Sequence, residues 1–103
     1  MAYKLIVTEA AHQDMDDALG YIAGKLSNLP AARKRLAEVE KCYEQLRKYP
    51  FLYEACHDLR LQQLGYRKVV IGNYVLVYHP IEDAETVYIL RFFYGGRDYE
   101  KLI

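Results

Sequence analysis

Residues 66–99 read YRKVVIGNYVLVYHPIEDAETVYILRFFYGGRDY. The stretch holds three β-rich runs in succession, at 66–71, 74–79 and 86–94. Their Val, Ile, Tyr and Phe content suits a pleated, half-buried surface. Gly72-Asn73 separates the first two runs. Glycine supplies positive φ at no steric cost and asparagine tolerates it, so the pair predicts a tight turn. An acidic connection at 81–85 precedes the third run. In that run both alternating rows are apolar: Val87, Ile89 and Phe93 in one, Tyr88, Leu90 and Phe92 in the other. A strand covered on both faces is expected in the middle of a sheet.

Upstream, residues 3–8 (YKLIVT) form a short β-prone run. Thr8 is placed to cap a following helix, with Glu9 in its first turn. Met15, Ala18, Leu19, Ile22 and Leu26 then recur at spacings of three and four, the apolar stripe of a helix. Asp14, Asp16, Asp17 and Lys25 read as its solvated surface. Residues 27–30 (SNLP) break this helix and start a second, with Pro30 in the first turn, where proline is tolerated. Ala32, Leu36, Val39, Tyr43 and Leu46 form the second stripe, and Pro50 ends it. Residues 51–64 lack a clean period and read as a loop into the sheet. The order is β-α-α-β-β-β: an α+β domain, with a helical hairpin packed on a mainly antiparallel sheet. The first strand is expected beside the last.

At 103 residues the chain reads as a single domain spanning 1–103. Apolar residues make up 52% and charged residues 27%, the proportions of an ordinary globular protein. Fourteen basic residues balance fourteen acidic ones. Bulk attraction to phosphate backbones needs an excess of Lys and Arg, so the balance argues against it while leaving a local basic patch open. No apolar run is long enough for a bilayer, and the N-terminus lacks a secretory pattern. Cys42 and Cys56 form no CxxC, which favours reduced thiols in a cytoplasmic protein.

The chemical motifs are sparse. There is no GxxxxGK[ST] loop and no HExxH, and His12, His57 and His79 have no metal-ligand spacing with the cysteines. No metal and no cofactor is expected. Cys56-His57-Asp58 contains a nucleophile and a base, but neighbours on a loop usually point apart. Arg67 alternates with Val69 and Ile71, and Arg91 with Ile89 and Phe93. A cation in such a row must be paired or reach water, and for Arg91 an acidic partner within the fold is the expectation. Arg97 follows Gly95-Gly96 and is framed by Tyr94 and Tyr99. That setting suits phosphate binding with base stacking, and equally a clamp of the C-terminal segment onto the core. Tyrosine occurs 11 times, with no tryptophan, which favours a protein-binding surface.

The element order, the inter-helix segment 28–32 (NLPAA), the helix end at 46–50 (LRKYP), Tyr66-Arg67 to Gly72-Asn73-Tyr74, the strand from Val75 to Tyr78, and Leu90-Arg91 to Gly96-Arg97-Asp98-Tyr99 together resemble the RelE/ParE superfamily of bacterial toxins. The resemblance implies the toxin half of a type II toxin–antitoxin module, neutralised by a cognate antitoxin. Contact with operator DNA is then only through that antitoxin, and no membrane is involved. RelE-like members are ribosome-dependent mRNA endonucleases, whereas ParE-like members poison DNA gyrase. Carried over by position, the nuclease pattern gives Arg67, Arg97, Tyr94 and Tyr99 as candidate catalytic residues. Val75 departs from it, standing where nuclease members commonly carry an arginine that stabilises the charged phosphorane. Loss of one such preorganised donor typically costs about 100- to 1000-fold in rate. Phe93 stands where some nucleases have a histidine. The resemblance therefore leans towards a gyrase inhibitor. A ribosome-dependent mRNA endoribonuclease is the alternative, and a non-toxic antitoxin-binding module is a third reading. The antitoxin is expected to cover Tyr21, Tyr43 or Tyr53 and to approach Arg97.

Overall fold

The computed structural model describes residues 2–95. Strand β1 (Lys4–Val7) leads into helix α1 (Glu9–Gly20), which continues as a π-helical turn (Tyr21–Lys25). Helix α2 (Leu29–Lys48) returns antiparallel to it, and a short helix α3 (Leu59–Gln63) precedes β2 (Arg67–Ile71), β3 (Tyr74–Ile81) and β4 (Thr86–Tyr94). The sheet order is β1-β4-β3-β2. β1 runs parallel to β4, and the other neighbours are antiparallel. The first strand thus lies beside the last, and β4 is central, as its two apolar rows predict.

Local chemistry sets the boundaries. The Thr8 hydroxyl accepts from Ala11 N–H at 3.2 Å and caps α1. Asn28 caps α2 by accepting from Ala31 N–H at 3.1 Å, with Pro30 in the first turn. Gly72 takes a φ of 59° in the two-residue β2–β3 turn. Its carbon lies against the Arg35 guanidinium so closely that any Cβ would collide with it.

The helices bury Ala11, Met15, Val39, Cys42 and Leu46 against Val69, Ile71, Leu76, Tyr78, Val87, Ile89 and Phe92 of one sheet face. On the opposite face a smaller cluster joins Cys56 and Leu61 to Val75, Val77 and Phe93. Residues 51–64 are therefore more than a connecting loop. They contain α3, capped by Asp58, and the fully buried Leu61. Five residues are too few to show a period. The backbone of this segment also pairs with the β2 edge at Ala55–Arg67.

Three other expectations are corrected. Val77 pairs with Arg91 but Tyr78 pairs with Ile89, so Leu90 is an extra, unopposed residue. This β-bulge breaks the simple alternation. Ile89 turns to the helices, whereas Phe93 turns to the opposite cluster. The α1 stripe does not run to Leu26, which is exposed beyond the π-helical turn, and Leu36 of the α2 stripe is likewise exposed. Asp14, read as solvated surface, is instead the acidic partner of Arg91. Its carboxylate accepts from Arg91 Nε at 2.7 Å, Arg91 Nη2 at 3.1 Å and Phe92 N–H at 3.0 Å.

Candidate functional site

A groove of about 710 Å³ lies where the helical hairpin meets the open end of the sheet. Its floor is aromatic. Tyr74 stacks on Phe92 with centroids 4.9 Å apart, and the Tyr94 ring meets Tyr74 edge-on at 5.9 Å. Tyr21, Ile22 and Leu26 form the wall from the end of the first helix, with Asp14 and Asp17 above them. The facing wall is Arg35 of α2, which sits 5.7 Å from the Tyr74 ring centroid. Tyr21 (51%) and Tyr94 (55%) are half exposed although aromatic, so the groove presents large apolar area to solvent.

The groove exists because β1 is short. β4 extends five residues past its last partner, Ile89. There the chain leaves the sheet to become α1. The Thr8 hydroxyl donates to the carbonyls of Ile89 and Leu90, and Asp14 accepts from Phe92 N–H. The end of β4 that carries Tyr94 is left beyond these contacts.

Of the candidate nuclease residues, Arg67 and Tyr94 lie apart in the sheet. Arg67 pairs with Tyr78 in the sheet, whereas Tyr94 pairs with Tyr74. Four residues of strand separate them, about 13 Å at ~3.3 Å per residue. Arg67 is also occupied: it donates to the Tyr53 carbonyl at 2.7 Å and lies over the Phe51 ring at 5.0 Å. It fastens the 51–55 segment to the sheet. Arg97 and Tyr99 lie outside the described residues. Val75 and Phe93 face each other across β3 and β4. They are 8% and 2% exposed, sealed under Cys56 and Leu61.

The tyrosines expected at a partner surface also separate. Tyr21 lines the groove, whereas Tyr43 and Tyr53 pack partly buried against the main core, Tyr53 edge-on to Tyr78 at 6.5 Å. Burial pushes the Tyr43 hydroxyl up to about 12. Sequence reading missed Arg35, Asn73 and Tyr74. Arg35 had a signal: it lies in register with Val39, Cys42 and Leu46, the residues that α2 actually buries.

Other chemical groups are engaged elsewhere. In the Cys56-His57-Asp58 run, Cys56 is buried, His57 Nε2 lies 3.5 Å from Glu54, and Asp58 caps α3. Both cysteines are buried and neither is in a disulfide, and burial raises the Cys42 thiol to about 11, far from a reactive thiolate. Among the described residues no three His, Cys, Asp or Glu side chains gather closely enough for a metal ion, and no helix is long and apolar enough to cross a membrane.

His79 packs against the Tyr66 ring, 5.2 Å between centroids, and desolvation lowers its pKa from the ordinary 6.5. The unfolded chain therefore takes up this proton first as pH falls. Stability is unaffected by His79 well above pH 6.5 and declines as pH drops through that value. Urea midpoints measured between about pH 7.5 and about pH 5.5 should show this slope, and His79→Phe should flatten it.

Comparison with known proteins agrees with this architecture. Residues 5–99 match the family model of the ParE toxin of the type II toxin–antitoxin system parDE. The chain belongs to the ParE toxin family. No curated protein matches it significantly. Solved structures share the fold at low identity. The RelBE2 toxin–antitoxin complex from Mycobacterium tuberculosis has a TM-score of 0.65 at 22% identity, covering 91% of this chain and 99% of that one. The chromosomal ParDE system of P. aeruginosa has a TM-score of 0.70 at 14% identity, covering 90% and 96%. A mutant of the E. coli toxin RelE in its free state has a TM-score of 0.60 at 16% identity, covering 90% and 83%.

Proposed function

We propose that this ParE-family toxin arrests growth without cutting RNA, acting as an inhibitor of DNA gyrase, and that a cognate antitoxin silences it by filling the groove. The observation that carries the first part is the Val75–Phe93 pair. Nuclease members of this superfamily commonly carry an arginine at the first of these positions, and some carry a histidine at the second. Here they are apolar, paired across the sheet and covered from the other side by Cys56 and Leu61. The balanced charge points the same way, because a ribosome-bound nuclease must approach a dense phosphate surface. Arg67, which a nuclease would use as a cation, is spent on Tyr53 and Phe51.

The groove supports the second part. It is an apolar, aromatic-floored channel with charged rims, the usual form of a helix- or strand-binding surface. Two of the structures of similar fold come from toxin–antitoxin systems.

Inducible expression in a bacterium tests the reading. Growth should stop with filamentation and induction of the DNA-damage response, translated messages should remain intact, and gyrase should co-purify with the chain. Cleavage of translated messages upon induction, or growth indistinguishable from an empty vector, would overturn it.

A further inference from the structure

The two walls of the groove are not equivalent. On the α1 side, Asp14 is fully engaged with Arg91 and Phe92, and Asp17 accepts from Gln13 at 2.9 Å. On the α2 side stands Arg35. Its Nη1 donates to Glu38 at 3.1 Å, and its guanidinium rests on the Tyr74 ring and the Gly72 turn. Nε is shut off from solvent and, among the described residues, has no acceptor. A guanidinium has five N–H donors, and among the described residues one of the five is used. Only 19% of the side chain is exposed, whereas Glu38 is 40% exposed, a weak ion-pair partner. Arg35 is therefore a largely desolvated, under-satisfied cation, held in place by backbone and ring contacts, at the rim of an aromatic groove.

We infer that Arg35 anchors a carboxylate of the segment that fills the groove. That segment would be an apolar stretch of the antitoxin, with an aliphatic or aromatic residue over the Tyr74–Phe92 stack and an Asp or Glu directed at α2. The inference deepens the antitoxin reading and rests on it for the identity of the partner. A single carboxylate fits better than a phosphate chain. Among the described residues Arg35 is the one cation lining the groove, and a polyanion entering it would meet Asp17. The same geometry favours a planar, two-pronged acceptor, because the fork of an arginine pairs with both carboxylate oxygens.

Fragment titration of the purified chain, followed by NMR, is the test. The arginine Nε–H resonance of residue 35 and the amides of Asn73, Tyr74 and Tyr94 report on the groove. 3-Phenylpropionate should shift these signals and bind about tenfold more tightly than neutral 3-phenylpropionamide, as expected for a charge-assisted hydrogen bond. Arg35→Gln, with its fold verified from the remaining spectrum, should erase the difference between acid and amide, and Arg35→Lys should retain only part of it. Equal binding of acid and amide, or shifts confined to another surface, would overturn the inference. A second arm uses, as candidate antitoxin, the product of a small reading frame adjoining the gene. Its affinity should fall about tenfold for Arg35→Gln. Unchanged affinity removes Arg35 as the anchor while leaving the toxin–antitoxin reading intact. Absence of binding to the unaltered chain removes that reading, and the fragment comparison then decides whether the groove takes a carboxylate.

Discussion

Val75→Arg is expected to unfold this domain rather than to arm it. The substitution restores the residue type that nuclease members of the superfamily carry at this position, so a surface-level comparison would predict a gain of ribonuclease activity. The packing predicts the opposite. Val75 is 8% exposed and sits in a cluster with Cys56, Leu61, Val77 and Phe93. An arginine there must either bury its charge among apolar side chains or push α3 off the sheet. Burying an unpaired charge costs several kcal/mol, even after the protein relaxes. A chain of this length has a total stability of roughly 5–15 kcal/mol, so the loss is a large fraction of the whole. The expected result is a fall of about 3 kcal/mol or more in urea-unfolding free energy, with no message cleavage on expression. A stable Val75→Arg variant that cuts translated messages would mean that the 51–64 segment opens readily. The Val75–Phe93 argument against a nuclease would then fail.

The sequence revealed those parts of the fold that are encoded locally. Thr8 announces its helix because a cap is a contact between residues three apart, and Pro30 marks the first turn of the next. Gly72 announces its turn because positive φ is a property of one residue. The central place of β4 was legible because burial on two faces leaves two apolar rows. What stayed hidden depends on partners distant in sequence. Asp14 resembles Asp16 and Asp17 until Arg91, 77 residues away, folds against it. Leu61 lies in a helix too short to display a period. The bulge at Leu90 inserts one residue into β4, so a strict alternation assigned Ile89 and Phe93 to one face when they occupy two.

The site was half legible for the same reason. Val75 and Phe93 could be named as departures from a nuclease pattern, but their burial depends on α3, which gave no signal. Tyr21 could be named for a partner surface and Tyr94 as a candidate catalytic residue, but their convergence on one groove depends on how far β4 outruns β1. Arg35 lies within the basic run Arg33-Lys34-Arg35, a composition usual for a solvated helix face. Its helical register with Val39, Cys42 and Leu46 was the clue that it faces inward.

Asp14→Ala should be the most damaging single change on α1. Its carboxylate holds Arg91 through two hydrogen bonds and satisfies the Phe92 N–H, which has no strand beside it once β1 has ended at Val7. Asp14 is 14% and Arg91 29% exposed, so the pair lies between a buried and a surface ion pair. Removing one partner of a fully buried pair costs about 3–5 kcal/mol, while exposed pairs contribute less than about 1. The orphaned Phe92 N–H adds about 1–3 kcal/mol of desolvation wherever water cannot reach it. A loss of about 2–4 kcal/mol is therefore expected from urea unfolding. Asp14→Asn keeps one acceptor and should lose about half of that. Asp16→Ala, two positions along on the exposed face, should stay within about 0.5 kcal/mol. Hydrogen exchange separates this explanation from general destabilisation. The Phe92 amide should lose protection first in Asp14→Ala under native conditions, because that amide has its acceptor in Asp14 alone. The interior amides of β3 should keep theirs until global unfolding. If Phe92 remains protected, a backbone acceptor has replaced Asp14, and the end of α1 is then free to move without opening β4. If protection is lost as expected, one carboxylate both closes the β4 edge and sets the height of the groove wall above Tyr21, and stability and partner binding should fall together in this variant.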